Sequence, residues 1–446
     1  MDNTAEDVQA ETQQHFRSDS RVEAWLDTLD NAQTDSPDDT RGDGLDDTPG
    51  DTQEITQDEG HIRQHCLPRA ERQLGQLLSI EGCKLLSPAQ WETNNIPTRT
   101  SIVGKLRPGA VGSAIHVKET NRDVVFKVIR ILGVGSGLDP STSPEVISQE
   151  VRNLRAVSSL PGFVKYRGMS LTYGKPPYPL ESRPTSCSEE FHAAGGCSTH
   201  FMAIIEQDFG GETLKSLLAR YKNDLEQDFG PHWLPACYRN LAAVYLGTLA
   251  VLANAENALG YTHNDPHSGN VVVEFPTPSA VTTPSTEEHS SQNAATYQRE
   301  TFADTHVRVR LIDQEAATFE PSVVGEKPGT ATELRTNVLH WIALLINCWK
   351  AFGKTRPEEI WETKWEEAQE FFENPAQSRA KLAQMNTQDR RDSQIWCVLV
   401  AGHILKSITA TPHNRIFTSM DVLQRLIDMG ITTKNEAYGL IGEVKE

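Results

Sequence analysis

The sequence contains no apolar run long enough to span a bilayer. Its longest, 241–253, is broken by Gly247 and Thr248 and falls short of the ~20 residues a transmembrane helix requires. No membrane insertion is expected. Basic residues are also scarce: 42 Lys and Arg stand against 61 Asp and Glu, for a net charge of −19. That balance argues against direct nucleic-acid binding, which draws most of its affinity from cationic contacts to phosphates. Cysteine is sparse, with seven residues at 66, 83, 187, 197, 237, 348 and 397. The number is odd and the spacing irregular, so no disulfide framework is expected. The stretch 1–10 is polar and acidic, unlike a secretory leader. The natural setting is intracellular and reducing, with free thiols.

The charge that is present is unevenly placed. Residues 1–60 hold 18 acids against three arginines, whereas the remaining 386 residues sum to about −4. The same stretch is poor in aromatics and cannot bury enough apolar surface to offset chain entropy. It reads as a disordered acidic tail, suited to solubility or to a basic partner. Its one exception is a short helical pattern of Val22, Trp25, Leu26 and Leu29.

Residues 61–99 form a helical lead-in, with short helices expected at 71–78 and 88–94. From 100 to 206 strands dominate. Segments 115–119 and 124–131 flank a polar turn and read as a hairpin. A helix capped by Ser143, with Pro144 in its first turn, runs to Val157. Strands at 163–172 and 201–206 follow. From 207 to 446 the pattern is mostly helical, with a long core-facing helix over 235–259. Further helices are expected at 332–352, 357–373, 376–384, 393–408 and 419–429. Stretches 173–199 and 276–304 are rich in Pro, Ser, Gly or Thr and read as surface loops or disordered insertions. Cys187, His192, Cys197 and His200 have metal-ligand chemistry, but their spacing fits no common zinc finger. An ordinary loop is the better reading.

Four short patterns carry chemistry. His263-Asn-Asp-Pro-His-Ser-Gly-Asn270 lies between the long helix and the strand 271–275. It matches the H-x-D-x-x-x-x-N pattern of a kinase catalytic loop. In such a loop Asp265 reaches a substrate hydroxyl and accepts or orients its proton, while Asn270 reaches Mg²⁺ from the other side. Val307-Arg-Val-Arg-Leu-Ile-Asp313 is a strand ending in an acid, where a carboxylate bridging Mg²⁺ to phosphates belongs. Lys127 sits inside the apolar strand 124–131, an expensive place for an unpaired ammonium. Gly109 and Gly112 match the last two glycines of a phosphate-covering G-x-G-x-x-G loop, with Arg107 in the first position. Each pattern alone has a bland alternative: a polar turn, a strand-end acid, a solvent-facing lysine or a loop glycine. Their order and spacing together point to an α+β, bilobal protein-kinase-like fold. That fold has a small β-rich N-lobe and a larger, mostly helical C-lobe, and binds ATP with Mg²⁺.

Within kinases the details resemble the haspin family. The run Phe201-Met-Ala-Ile-Ile-Glu-Gln-Asp-Phe-Gly-Gly-Glu-Thr-Leu214 is similar to a haspin hinge. The helix before the catalytic loop, and His267 with Gly269-Asn270 inside it, are also haspin-like, as are 162–168 and 173–177. Asp313 is followed by Gln314-Glu315 instead of Phe-Gly, a departure that haspins share. The resemblance covers roughly residues 100–350. It implies that Lys127 holds phosphates, that Asp265 is the catalytic base with His267 beside it, and that Asn270 and Asp313 hold Mg²⁺. It further implies that the Asp208 carbonyl and Gly210 amide bind adenine, with Gln207 guarding the back pocket. Either Glu150 or Glu145 pairs with Lys127, but not both, because five residues turn a helix by about 140°. Asn264 stands where many kinases have an Arg that grips a phosphorylated activation loop, so that regulation is expected to be absent. The resemblance implies a serine/threonine protein kinase acting on a basic peptide, a histone-tail threonine in mitosis, in the nucleus. Two other readings stay open: a small-molecule phosphotransferase of the aminoglycoside or choline type, which uses similar loops, and a non-catalytic scaffold of kinase fold.

Overall fold

The computed structural model describes residues 74–95, 101–105, 112–118, 123–131, 143–173, 201–227, 236–275, 307–319, 331–351, 362–409 and 418–442. The acidic tail, the 276–304 insertion, Gly109 and the Cys187, His192, Cys197, His200 set lie outside them.

The strand-rich segment forms as a hairpin with a sheet grown around it. Strands β3 (Gly112–Lys118) and β4 (Asp123–Ile131) pair antiparallel, with Ile115 opposite Phe126 and Ala114 opposite Lys127. Side chains alternate between faces of a strand, and β4 uses both. Val124, Phe126 and Val128 join Ile115, Val117, Met202, Ile204 and Trp91 in one apolar cluster. Ile129 and Ile131 join the other, against helix α3 (Pro144–Val157) and helix α1 (Gly75–Leu78). Trp91 belongs to helix α2 (Pro88–Asn95) and covers the first face, with its indole N–H donating to Ser170 Oγ at 2.9 Å. Among the described residues this sheet has six strands, in the order β1-β5-β6-β4-β3-β2. Here β1 is Lys84–Leu86, β2 Ser101–Lys105, β5 Tyr166–Tyr173 and β6 Phe201–Asp208.

Several elements depart from the sequence-based expectations. The lead-in is not wholly helical: β1 pairs parallel with β5. Three residues are too few to show alternation. The strand expected from 163 starts at Tyr166, and Phe163 instead makes an isolated parallel bridge to Leu311. The helix expected at 393–408 begins at Thr387, because its first turn and a half is wholly polar, so apolar periodicity does not reveal it.

The rest of the described chain is mainly helical. Helix α4 (Leu214–Gln227) follows the short strand β7 (Glu212–Thr213). Helix α5 (Ala236–Leu259) is buried on most sides. It packs with α6 (Ala331–Ala351), α7 (Glu362–Glu373), α8 (Pro375–Gln384), α9 (Thr387–Thr409), α10 (Ser419–Asp428) and α11 (Lys434–Gly439) in one core. Two buried indoles fasten helices to neighbouring backbone: Trp341 Nε1 donates to the Tyr245 carbonyl and Trp349 Nε1 to the Leu399 carbonyl. Gly247 lets β10 (Arg308–Leu311) press onto α5, since a Cβ there would lie 2.7 Å from Val309 Cγ2. The remaining strands are short: β8 (Tyr261–Thr262) pairs with β11 (Thr318–Phe319), and β9 (Val271–Glu274) lies between β10 and β7. The architecture is thus mixed α+β, one sheet region and a mostly helical remainder. Among the described residues no helix is long and apolar enough to cross a membrane.

Candidate functional site

Strand parity puts Lys127 on the face of β4 that carries Ile129 and Ile131, toward α3. The buried positions of α3 are Ile147, Ser148, Glu150, Val151, Asn153, Leu154 and Val157. That helical stripe turns Glu150 inward and leaves Glu145 exposed in the first turn. Lys127 Nζ lies 2.7 Å from Glu150 Oε1 and 3.0 Å from Asp313 Oδ1. Of the two glutamates the sequence left open, Glu150 is the partner. Its side chain is only 2% exposed, so it needs a compensating cation.

The charges shift one another. Burial alone would lower the Lys127 pKa, but Glu150 and Asp313 together raise it above the usual lysine value and keep it cationic. Burial pushes the Glu150 carboxyl up, against the pull of Lys127. Burial also acts to raise Asp313, but Lys127 outweighs it and holds that carboxyl below its ordinary range.

The loop 263–270 is fixed from beneath. His263 is fully buried. Its main-chain N–H donates to Asn337 Oδ1 at 3.0 Å, its Nε2 donates to the Ile312 carbonyl at 3.2 Å, and its Nδ1 accepts from the Asp265 amide at 3.3 Å. Burial lowers its pKa to about 4, so the ring is neutral near pH 7. Asn337, on α6, also donates to Glu256 Oε1 at 2.9 Å and to the Tyr261 carbonyl at 2.8 Å. Glu256, on α5 and 4% exposed, accepts from the Ser419 amide at 2.8 Å and the Ser419 hydroxyl at 2.6 Å. Burial, only partly offset by these donors, raises its pKa to about 7.

Above this support, Asn270 Nδ2 donates to the Asp265 carbonyl at 2.9 Å and to its Oδ2 at 3.3 Å. That leaves the amide oxygen as a donor atom for a cation. The exposed His267 ring accepts from the Gly269 amide at 2.9 Å through Nδ1, and its Nε2 stands 3.6 Å from Asp265 Oδ2. Burial and the Asp313 charge raise the Asp265 pKa, against His267 and Asn270. The antiparallel β9–β10 pair and the Ile312 N–H to Asn270 carbonyl bond, 3.0 Å, join this loop to Asp313.

Glu150, Asp313 and Glu315 offer carboxylate oxygens within 4.8 Å of one another. Hard oxygen donors in such a set suit Mg²⁺. Lys127, Glu150, Asp313 and Glu315 therefore converge, with Asp265, His267 and Asn270 tied to them through main chain. Gly112 sits in β3 opposite Ile129. Asp208 ends β6: its amide donates to the Lys165 carbonyl at 3.0 Å and its carboxylate takes both arms of Arg167. Gly210 is buried, and a Cβ there would meet Val272 Cγ2 at 2.6 Å. Gln207 is buried one residue before Asp208. Sequence reasoning missed Asn153, a buried amide one turn beyond Glu150. Its signal was a polar residue on the apolar stripe of an amphipathic helix.

Fold and geometry together define a mixed α+β chain with a partly buried lysine set against two carboxylates, beside which the Glu150, Asp313 and Glu315 oxygens gather within 4.8 Å of one another. No protein-family model matches the sequence, and no curated protein matches it.

Proposed function

We propose that the chain is an ATP-dependent serine/threonine protein kinase with a bilobal, haspin-like fold. In this reading the six-stranded sheet with α3 is the small lobe and the helical remainder the large one. The observation that carries the reading is the placement of Lys127 against both Glu150 and Asp313, beside the loop that bears Asp265 and Asn270. A lysine that reaches phosphates must stay cationic and immobile, and the two carboxylates supply both conditions. Asn270 and Asp313 would hold Mg²⁺, which would neutralise charge developing on the phosphates. Asp265 accepts the proton of the acceptor hydroxyl. The hydroxyl oxygen bonds to the γ-phosphorus, and the β–γ bridging oxygen departs with ADP. The raised pKa of Asp265 makes it a better proton acceptor than an ordinary aspartate. His267 stands at the loop position where other kinases carry lysine, and its Nε2 would donate to the phosphate being transferred. The substrate proposed is a basic peptide such as a histone tail in the nucleus, drawn by exposed acids including Asp265.

The test is transfer of labelled γ-phosphate from Mg²⁺-ATP to a panel of histone-tail peptides, aminoglycosides and choline. Peptide labelling is expected, with Asp265→Asn slower by about 10²–10⁴-fold. Labelling of the small molecules alone overturns the protein-kinase reading in favour of a small-molecule phosphotransferase. Nucleotide binding with no transfer by either protein leaves a scaffold.

A further inference from the structure

Asp313 has φ 59°, a left-handed backbone that a residue with a side chain keeps only where its surroundings fix it. Two carboxamides grip the turn immediately after it. Asn153, 1% exposed, donates through Nδ2 to the carbonyls of Gln314 at 2.7 Å and Ala317 at 2.8 Å. Its Oδ1 accepts from Gln149 Nε2 at 2.7 Å. From the loop side, Asn264 Nδ2 donates to the Ala316 carbonyl at 2.9 Å and to Thr318 Oγ1 at 3.1 Å. The turn is closed by the Ala317 amide on the Gln314 carbonyl at 3.2 Å. The Tyr261 hydroxyl donates to Gln314 Oε1 at 2.6 Å.

We propose that Asn153 is a positioning residue that makes α3 and the segment carrying Asp313 a single mechanical unit. Asn153 and Glu150 are three residues apart on the same buried stripe, so they share one face of the helix. Any shift of α3 that withdraws Glu150 from Lys127 also pulls two hydrogen bonds off the turn that holds Asp313. Asparagine suits the task because one NH₂ group reaches two carbonyls and adds no charge to compete with Lys127. An apolar residue there would leave the Ala317 carbonyl without this donor and the Gln314 carbonyl with only the Ala317 amide. An aspartate would set an acceptor against acceptors. Asn264 holds the same turn from the other side.

The structural part of this inference does not require catalysis; its consequence for phosphate transfer rests on the kinase reading. Hydrogen exchange on the full chain, read by mass spectrometry, tests it. In Asn153→Ala, amides of 144–157 and of 311–319 should exchange faster together, on the order of tenfold, while α5 and α9 keep wild-type protection. Affinity for Mg²⁺ with a non-hydrolysable ATP analogue should fall by a similar factor, and Asn264→Ala should loosen 311–319 without loosening α3. If Asn153→Ala fails to fold, Asn153→Leu decides, since it keeps the shape, adds no charge and loses both donors. Wild-type exchange of 311–319 in a folded Asn153 variant overturns the proposal, as does loosening of that segment with α3 unchanged in the same Asn153 variant. A wild-type chain with coupled exchange but no affinity for the Mg²⁺-nucleotide supports the mechanical unit and refutes the kinase reading.

Discussion

Replacing Glu256 by Gln should change how stability depends on pH, and by a calculable amount. The folded-state pKa is about 7, raised from an ordinary 4.5. A carboxyl raised on folding binds its proton more tightly in the native chain, so its contribution is complete below 4.5 and is lost as pH rises to about 7. The gap corresponds to roughly 3 kcal/mol. Glu256 is 4% exposed, so solvent screening does little to reduce it. Gln cannot titrate, and it also loses one acceptor for the Ser419 amide or hydroxyl, a penalty of about 1–3 kcal/mol at every pH. Urea denaturation of both proteins at pH 5 and pH 8 should find the variant less stable at pH 5, with the deficit shrinking by roughly 2–3 kcal/mol at pH 8. The comparison cancels His263 and every other group common to both. An unchanged deficit would show that Glu256 ionises normally inside the protein and that its burial is not felt as described.

Lys127→Met removes the cation that offsets two carboxylates; Mg²⁺-nucleotide binding should fall by at least about tenfold, and Glu150, left buried without its partner, should reduce stability by up to about 3–5 kcal/mol, both readable by titration and denaturation. Gly247→Ala brings a methyl within 2.7 Å of Val309 Cγ2 and should lose about 1–3 kcal/mol by overpacking, with Val309→Ala restoring part of it in the double variant. Acidification should destabilise the chain through His263: its folded pKa is lowered from 6.5 to about 4, so its contribution is present above 6.5 and disappears as pH falls toward 4, visible as a falling denaturation midpoint over that window in Glu256→Gln, where the opposing titration of Glu256 is removed.

The hairpin, the helix after Ser143 and the long helix α5 were legible because strand alternation and helical periodicity run for many residues. The candidate site was legible as separate pieces: Lys127 by its apolar strand, Asp265 and Asn270 by spacing, Asp313 by its strand end. Their meeting was expected from the order of the pieces and the family resemblance; the contacts that make it were not legible, because they depend on β4 facing α3 and on β9 pairing with β10. The choice between Glu150 and Glu145 needed the phase of α3, which only packing sets. Asn153 was hidden for the same reason: a polar residue at that position reads as a minor flaw in an amphipathic stripe until its two carbonyl partners arrive from 161 and 164 residues away. The strand Lys84–Leu86 was invisible because its pairing with β5 is stated nowhere in three residues of local sequence.

That small strand governs how the protein tolerates shortening. A fragment starting near residue 100 would bare the main chain of Ser170–Thr172 on the outer border of β5. It would also strip the covering side chains Leu74, Leu77 and Trp91 from the two flanks of the sheet. Such an open border is a template for other copies. The fragment should clump, and its silence in any assay would reflect self-association instead of missing chemistry.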